Sequence, residues 1–360
     1  MSERFTVTYH VQSDAASIDA RALGIAVEQS VEMPLAGIDD NIVLSEIVGS
    51  VETIKDLGHG AFEVRIALAL ATVGDDPGQL LNMLFGNTSL HDDVILRDVD
   101  FPRHFIGGQP AIPELRRRLG VSTRAFTGSA LKPQGLPPER LARLAGQFAL
   151  GGLDFIKDDH GLADQAFSPF AVRVPLIAAA IAQAVRSTGH PTRYIPSLSG
   201  DLNQMRTQAA IARDNDLDCA MAAPMIAGFS NMRALTRAFP DIVFFAHPAM
   251  GGAARIGPEL LIGKLFPMLG AGAVIFPTFG GRFGYSAETC RSLAANARPS
   301  LPVPAGGITL DRVPALLDFY GPDTMLLVGG NLLLARDRIA EESAAFTRAV
   351  AAHEDNMHGQ

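Results

Sequence analysis

Two periodicities divide the chain. In the first third, RFTVTYHV (4–11), IVGSVETI (47–54) and FEVRIALAL (62–70) alternate apolar and polar positions and predict strands. DARALGIAVEQSVE (19–32) and PGQLLNMLF (77–85) carry apolar residues at helical spacing. This mix predicts a small α+β domain with helices on one sheet face. The Pro-flanked PAIPELRRRL (110–119) predicts a helix leading out of it, and the boundary is placed at 118/119.

From there a new rhythm begins. Eight short apolar runs follow: AFTGSALKP (125–133), GLDFIKDD (152–159), TRYIPSLSG (192–200), CAMAAPMI (219–226), DIVFFAHPAM (241–250), GAVIFPTFG (272–280), LPVPAGG (301–307) and TMLLVGG (324–330). Ala/Leu/Arg-rich helical stretches separate them, as in LPPERLARLAGQFAL (136–150). Eight strand–helix units over 119–345 predict a closed (β/α)8 barrel, for which about 250 residues is typical. An open doubly wound sheet is the rival. Residues 346–360 are polar and are expected to form a frayed tail.

Composition narrows the chemistry. Of 360 residues 48% are hydrophobic, and 30 Lys+Arg against 38 Asp+Glu give a net charge of −8, which argues against nucleic acid or an anionic membrane as the main partner. Cys219 and Cys290 are too few for a disulfide framework. The start, MSERFTVTYH, lacks a leader pattern, and no run approaches about 18 consecutive apolar residues. A cytoplasmic globular protein is expected.

In such a barrel the residues ending each strand face the active site. Lys132 and Gln134 end the first run, and Lys157, Asp158, Asp159 and His160 the second. Ser197, Ser199 and Asp201 end the third, His247 comes from the fifth, and Arg282 follows the sixth. Strand alternation puts Lys157 and Asp159 on one face and Asp158 on the other. Lys157 reads either as an ion-pair partner or as a lysine that adds CO2 to become a carbamate, an oxygen ligand for Mg2+ beside Asp159 and His160. The pairs Gly306–Gly307 and Gly329–Gly330 end the last two strands, where backbone N–H groups bind phosphate in many barrels. His247 reads as a buried histidine or a substrate contact. Lys132 ends an apolar strand, where desolvation favours acid/base work. Arg282, in a Gly-rich loop, reads as a surface charge or part of a lid.

The ordered set LKPQG (131–135), GGLDFIKDDHGLADQ (151–165), HPAM (247–250), LPVPAGG (301–307) and LLVGGNLL (326–333), with AVEQS (26–30) and FGNTSL (85–90), resembles the large subunit of ribulose bisphosphate carboxylase (RuBisCO), and within that family its RuBisCO-like members. The resemblance implies a ferredoxin-like N-terminal domain before a TIM barrel. It implies one Mg2+ per site, with Mn2+ possible, held by carbamylated Lys157, Asp159 and His160. Lys132 stands where the family has its proton-transfer lysine, and His247 where a histidine contacts substrate. The two glycine pairs match a phosphate site. Asn87 and Glu28 match residues that reach a neighbouring subunit's site, implying a homodimer with shared active sites and room for higher assembly.

Departures shape the expected activity. Gln134 replaces a second lysine, Pro248 an arginine, Ala305 a serine, and the strand-six histidine has given way to Phe276–Pro277. Losing cations at two of these places removes the complement to a second phosphate. The resemblance therefore implies a singly phosphorylated substrate and an enediolate, not CO2 fixation. Decarboxylation of 3-oxo-isoapionate 4-phosphate is the first expectation. An enolase or isomerase of methionine salvage is the alternative, with Met221, Met225, Phe279 and Phe283 as an apolar slot; a non-catalytic phosphosugar-binding protein is the third.

Overall fold

The computed structural model describes residues 3–101, 105 and 108–358, with side chains up to 353. Two compact units emerge, residues 1–107 with 228–230 and 250–261, and the remainder.

The first unit runs β1 (Arg4–Gln12), α1 (Ile18–Glu28), β2 (Ser50–Gly58), β3 (Ala61–Ala69), α2 (Pro77–Phe85) and β4 (Val94–Asp100). Its antiparallel order β2-β3-β1-β4 is the ferredoxin-like βαββαβ arrangement. Alternation decides which face packs: Phe5, Val7, Tyr9 and Val11 of β1 are buried with Ile18, Ala22, Ile25 and Ala26 of α1. The Tyr9 hydroxyl donates to the Leu84 carbonyl at 2.6 Å, so the phenol is buried without an orphaned group. Asp76 caps α2, accepting from the Gln79 amide at 2.7 Å, and Pro77 opens the helix. The loop 250–261 belongs here because Ile256 bridges Leu96 and the Arg255 guanidinium donates to the His91 carbonyl at 2.7 Å.

The second unit is the barrel. β5 (Phe126–Leu131), β6 (Phe155–Asp158), β7 (Arg193–Ile195), β8 (Cys219–Ala222), β9 (Val243–Ala246), β10 (Ala273–Pro277), β11 (Leu301–Ala305) and β12 (Met325–Val328) form one parallel sheet in the order β7-β6-β5-β12-β11-β10-β9-β8. All eight expected runs are strands. The ring closes just beyond β7, where the Leu198 amide donates to Met221 O at 2.7 Å and the Met221 amide to Pro196 O at 2.8 Å. Phe126, Phe155, Ile195, Met221, Phe245, Ile275, Val303 and Leu327 fill the interior as one buried cluster. Burying each such side chain stabilises by about 1.5–3 kcal/mol. The intervening helices include α4 (Pro138–Leu150), α5 (Phe170–Thr188) and α6 (Leu202–Asp214). α5 is long and apolar enough to cross a membrane, with mean hydropathy 1.3, a signal that the count of consecutive apolar residues passed over because Arg173 and Arg186 interrupt it. Here it packs on the barrel through Val174, Ile177, Ile181 and Ala184.

Three expectations change. α3 (Ala111–Leu119) belongs to the barrel, not to the N-terminal domain: Ala111, Ile112, Leu115 and Leu119 join the interior cluster as a plug, so the division falls at 107/108. β4 was not foreseen. Its register with β1 skips Arg97, a bulge that breaks the alternation between Leu96 and Val99. The supposed tail is helix: Ile339–His358 is continuous, with Phe346 and Val350 buried, so the polar composition of 346–360 hid an amphipathic face.

Candidate active site

The barrel's own alternation builds the site. Two residues above the top interior side chain of each strand stands the next inward position: Lys157 above Phe155, His247 above Phe245, Ser197 above Ile195, Gly329 above Leu327. Asp158 faces outward, as expected. It accepts from the Tyr194 hydroxyl at 2.7 Å, the Ser197 amide at 3.0 Å and Arg173, itself fully buried, at 3.3 Å.

Lys157 is 4% exposed, and its Nζ donates to the Asp158 carbonyl at 2.8 Å. Burial lowers its pKa to about 8; Lys132 adds to this, while Asp159 and Asp158 oppose it. Asp159 gathers two partners: Lys132 Nζ lies 3.0 Å from Oδ2 and His160 Nδ1 2.9 Å from Oδ1. Burial pushes the Asp159 carboxyl up, but the hydrogen bonds from His160 and Lys132 and the charges of Lys132 and Lys157 outweigh it and hold it well below the carboxylate range. The burial expected at Lys132 therefore falls on Lys157, and Lys132 is about one-third exposed and ion-paired.

His160 stacks on His247, with centroids 4.4 Å apart and planes 5° from parallel. His247 Nδ1 accepts from the Ala249 amide at 3.1 Å, which leaves its proton on Nε2. Burial first, then Lys157 and His160, drive its pKa down to about 2, so the ring is neutral. The loop after β6 is firmly held. Arg173 donates to the carbonyls of Ala163 (2.9 Å) and Ser168 (2.6 Å), Gln165 to Gly161 O (2.8 Å), and Asp164 accepts from the Phe170 amide (2.6 Å).

The first glycine pair has a structural reason. Gly306 and Gly307 both have positive φ, +82° and +74°, and a Cβ on Gly307 would meet Gly281 Cα at 2.9 Å. Gly329 and Gly330 have open space where a Cβ would stand. Two residues that were not singled out tie these loops together. Arg312 donates to the carbonyls of Gly307 (2.5 Å) and Phe279 (2.7 Å), and Asn331 to Ile308 O (2.7 Å). Arg312 lies five residues past Gly307 and Asn331 directly follows Gly330, a spacing visible in the sequence.

Comparison with known proteins places this geometry. The profile of the ribulose bisphosphate carboxylase large chain, catalytic domain, matches residues 111–259. The chain is 57% identical to a 5-methylthioribulose-1-phosphate isomerase of Rhodospirillum rubrum, over 98% of this chain and 97% of that one. It belongs to the RuBisCO large-chain family. A 2,3-diketo-5-methylthiopentyl-1-phosphate enolase of Geobacillus kaustophilus is 31% identical over 80% of this chain and 75% of its own length. The crystal structure of a Rubisco-like protein from Rhodopseudomonas palustris superposes with a TM-score of 0.91 at 47% identity, covering 98% of both chains.

Within this RuBisCO-like barrel the remaining expected residues scatter. The Gln134 amide lies against Gly161, at the edge of the Asp159–His160 loop. Arg282 is exposed and stacks on Phe283, 4.7 Å from the ring centroid. Asp201 is a helix cap, with a full capping box on α6. Asn87 and Glu28 lie in the N-terminal unit, where the Asn87 amide donates to Glu28 at 2.8 Å and to Glu32 at 2.9 Å. Of the proposed apolar slot, Met221 lines a cleft beside His160 and His247. Phe279 instead packs on Phe319 and Tyr320, and Phe283 is exposed. Among the described residues no three His, Cys, Asp or Glu side chains form a ready metal cage. Asp159 and His160 supply two donors, and a third requires Lys157 to change chemically.

Proposed function

We propose that this protein is an isomerase of 5-methylthioribulose 1-phosphate or a closely similar thio-sugar phosphate, and not a carboxylase. What carries the reading is the 57% identity, over nearly the full length of both chains, to a relative named for that activity. The site is compatible with it: a cluster of proton-handling groups, a glycine-framed loop for one phosphate, and Pro248 and Phe276–Pro277 where cations for a second phosphate were expected. Decarboxylation, the first expectation, has no counterpart among the relatives' named activities reported above, whereas isomerisation and enolisation do.

The donor set fits a divalent cation. An amine sunk at 4% exposure with a lowered pKa has a neutral fraction that adds CO2, releasing one proton and becoming an anionic carbamate. Lys157 in that form, Asp159 and His160 would hold Mg2+ or Mn2+, with the imidazole widening the range of acceptable metals. When bound, the metal supplies charge stabilisation for oxygens that become negative during proton removal next to a ketone.

The chain's own residues do the rest. Lys132, held at 3.0 Å by Asp159, is placed to exchange a proton with a substrate carbon or hydroxyl. Neutral His247 offers an Nε2–H donor to a substrate oxygen. The Gly306–Gly307 turn presents backbone N–H groups to phosphate, and Arg312 fixes it. Asn87 and Glu28 are assigned to a neighbouring subunit's site in a homodimer.

The test is turnover with Mg2+ and bicarbonate. Conversion of methylthioribulose 1-phosphate to an isomeric phosphate, with solvent deuterium entering carbon, supports the reading. CO2 release from a phosphorylated β-keto acid, with no isomerisation, overturns it.

A further inference from the structure

Arg173, on the first turn of α5, is one of the largest side chains that the fold buries completely. Stability alone is a poor reason for it. A buried ion pair returns about as much attraction as its two charges lose in hydration, and an apolar pair of similar size serves a core as well. The guanidinium Nε also has no hydrogen-bond partner among the described residues, a cost that a purely structural residue is expected to avoid.

Its contacts point to placement. Nη1 donates to the carbonyls of Ala163 (2.9 Å) and Ser168 (2.6 Å), and Nη2 to Asp158 Oδ2 (3.3 Å). Asp158 faces away from the barrel axis but stands between the two inward residues Lys157 and Asp159. Its backbone carbonyl accepts from Lys157 Nζ at 2.8 Å. Its carboxylate accepts from the Tyr194 hydroxyl of β7 (2.7 Å) and from the Ser197 amide (3.0 Å). Asp159 and His160 therefore lie on a span of chain held at Asp158 before them and at Ala163 after them, with one guanidinium joining the two ends. Within that span the Leu162 amide donates to Asp159 O at 3.0 Å and the Gln165 side chain to Gly161 O at 2.8 Å.

We infer that Arg173, acting through Asp158 and the loop carbonyls, is a positioning residue that keeps Lys157, Asp159 and His160 together for a divalent cation, while its own atoms lie outside the site. The inference rests on the proposed reading that these three side chains hold such an ion. Lysine does not replace arginine here, because two carbonyls and a carboxylate call for a planar head with several fixed donors.

The test is Mn2+ binding to the full-length protein in bicarbonate buffer, read by electron paramagnetic resonance, beside denaturant unfolding without metal. Arg173→Met combined with Asp158→Asn removes both charges, strands neither, and leaves an amide oxygen for Tyr194 and Ser197. This double variant is expected to unfold close to the wild-type midpoint and yet to bind Mn2+ about 10–100-fold more weakly, as loss of a group that orients a metal ligand does. Arg173→Lys keeps the charge without the fork and should weaken Mn2+ in the same direction. In both variants kcat should recover toward the wild-type value at saturating Mn2+, since the defect lies in holding the ion. Mn2+ affinity within about twofold of wild type in the folded variants overturns the positioning role and leaves the metal reading standing. Loss of the fold in both variants also overturns it, because the pair then serves stability. Absence of Mn2+ binding by the wild type overturns the metal reading and this inference together.

Discussion

The base of the barrel and the inward face of its mouth handle buried charge in opposite ways. Below the strands, Asp154 is fully buried and completely satisfied: Arg124 donates at 2.7 and 2.8 Å, the Thr127 amide and hydroxyl at 2.8 and 2.9 Å, and His190 Nε2 stands 3.1 Å away. Arg116 of α3 meets Asp323 at 2.7 Å and Arg118 of α3 meets Asp218 at 3.3 Å, both aspartates standing just before strands begin. Above the strands, Lys157 is almost as deeply buried, yet it donates to a backbone carbonyl, while Asp159 is shared between Lys132 and His160. Ion pairing is complete at Asp154 and also at Asp158, which faces outward near the mouth, and incomplete at the inward-facing Lys157, where the proposed chemistry would take place. Satisfied charge at the base and on the outward face, and frustrated charge on the inward face of the mouth, separate scaffold from candidate site in one continuous fold.

That contrast breaks most sharply at Lys157. Lys157→Ala should cut turnover by about 10³-fold or more, as loss of a central catalytic group does, with the unfolding midpoint unchanged or raised because a buried ammonium has gone. Full activity would remove the carbamate from the account. Asp154→Ala should do the reverse, costing about 3–5 kcal/mol in denaturant unfolding by stranding Arg124 and His190, with kcat nearly intact. The same residue gives a pH signature. Burial raises the Asp154 carboxyl, but Arg124, His190 and Thr127 outweigh that and hold it below its ordinary 3.8. The unfolded carboxyl therefore takes up a proton first as pH falls. Its stabilisation is present above about pH 4 and is lost as pH drops toward the folded value, so Asp154→Asn should flatten the acid limb of stability against pH.

Smaller effects sharpen the picture. His247→Gln should lower kcat by about 10²-fold, since one positioned donor is lost, without changing the melting temperature by more than a few degrees. Arg312→Lys should raise KM for the phosphorylated substrate about tenfold with little change in kcat, because a single ammonium does not span the Gly307 and Phe279 carbonyls. A kcat effect equal to the KM effect would place Arg312 in the chemistry itself.

Much of this was legible beforehand, for identifiable reasons. Each barrel strand announced itself because a parallel strand is buried on both faces and reads as an unbroken apolar run. Lys157, Asp159 and His247 stood out because charge at the end of such a run has few structural excuses. What escaped depends on three-dimensional detail. The bulge at Arg97 concealed β4, the apolar stripe through Phe346 and Val350 lay within polar composition, and the helix α3 was counted with the N-terminal domain because only its packing shows it to be a plug of the barrel. Arg312 and Asn331 act on backbone carbonyls, which carry no residue code. The apolar slot was assigned to Met221, Met225, Phe279 and Phe283 on residue type alone; of these Met221 lines the cleft beside His160 and His247, whereas Phe279 packs on Phe319 and Tyr320.

The closure at Pro196–Leu198 and Met221 has a further consequence. Two of the eight strand junctions are sparsely paired: β11 and β12 share one register pair, Ala305 with Leu327, and the last junction is fastened by two backbone bonds beyond the end of β7. A cylinder sewn this sparsely at two seams depends for its closure on the side chains packed inside it more than on an unbroken ladder of backbone bonds.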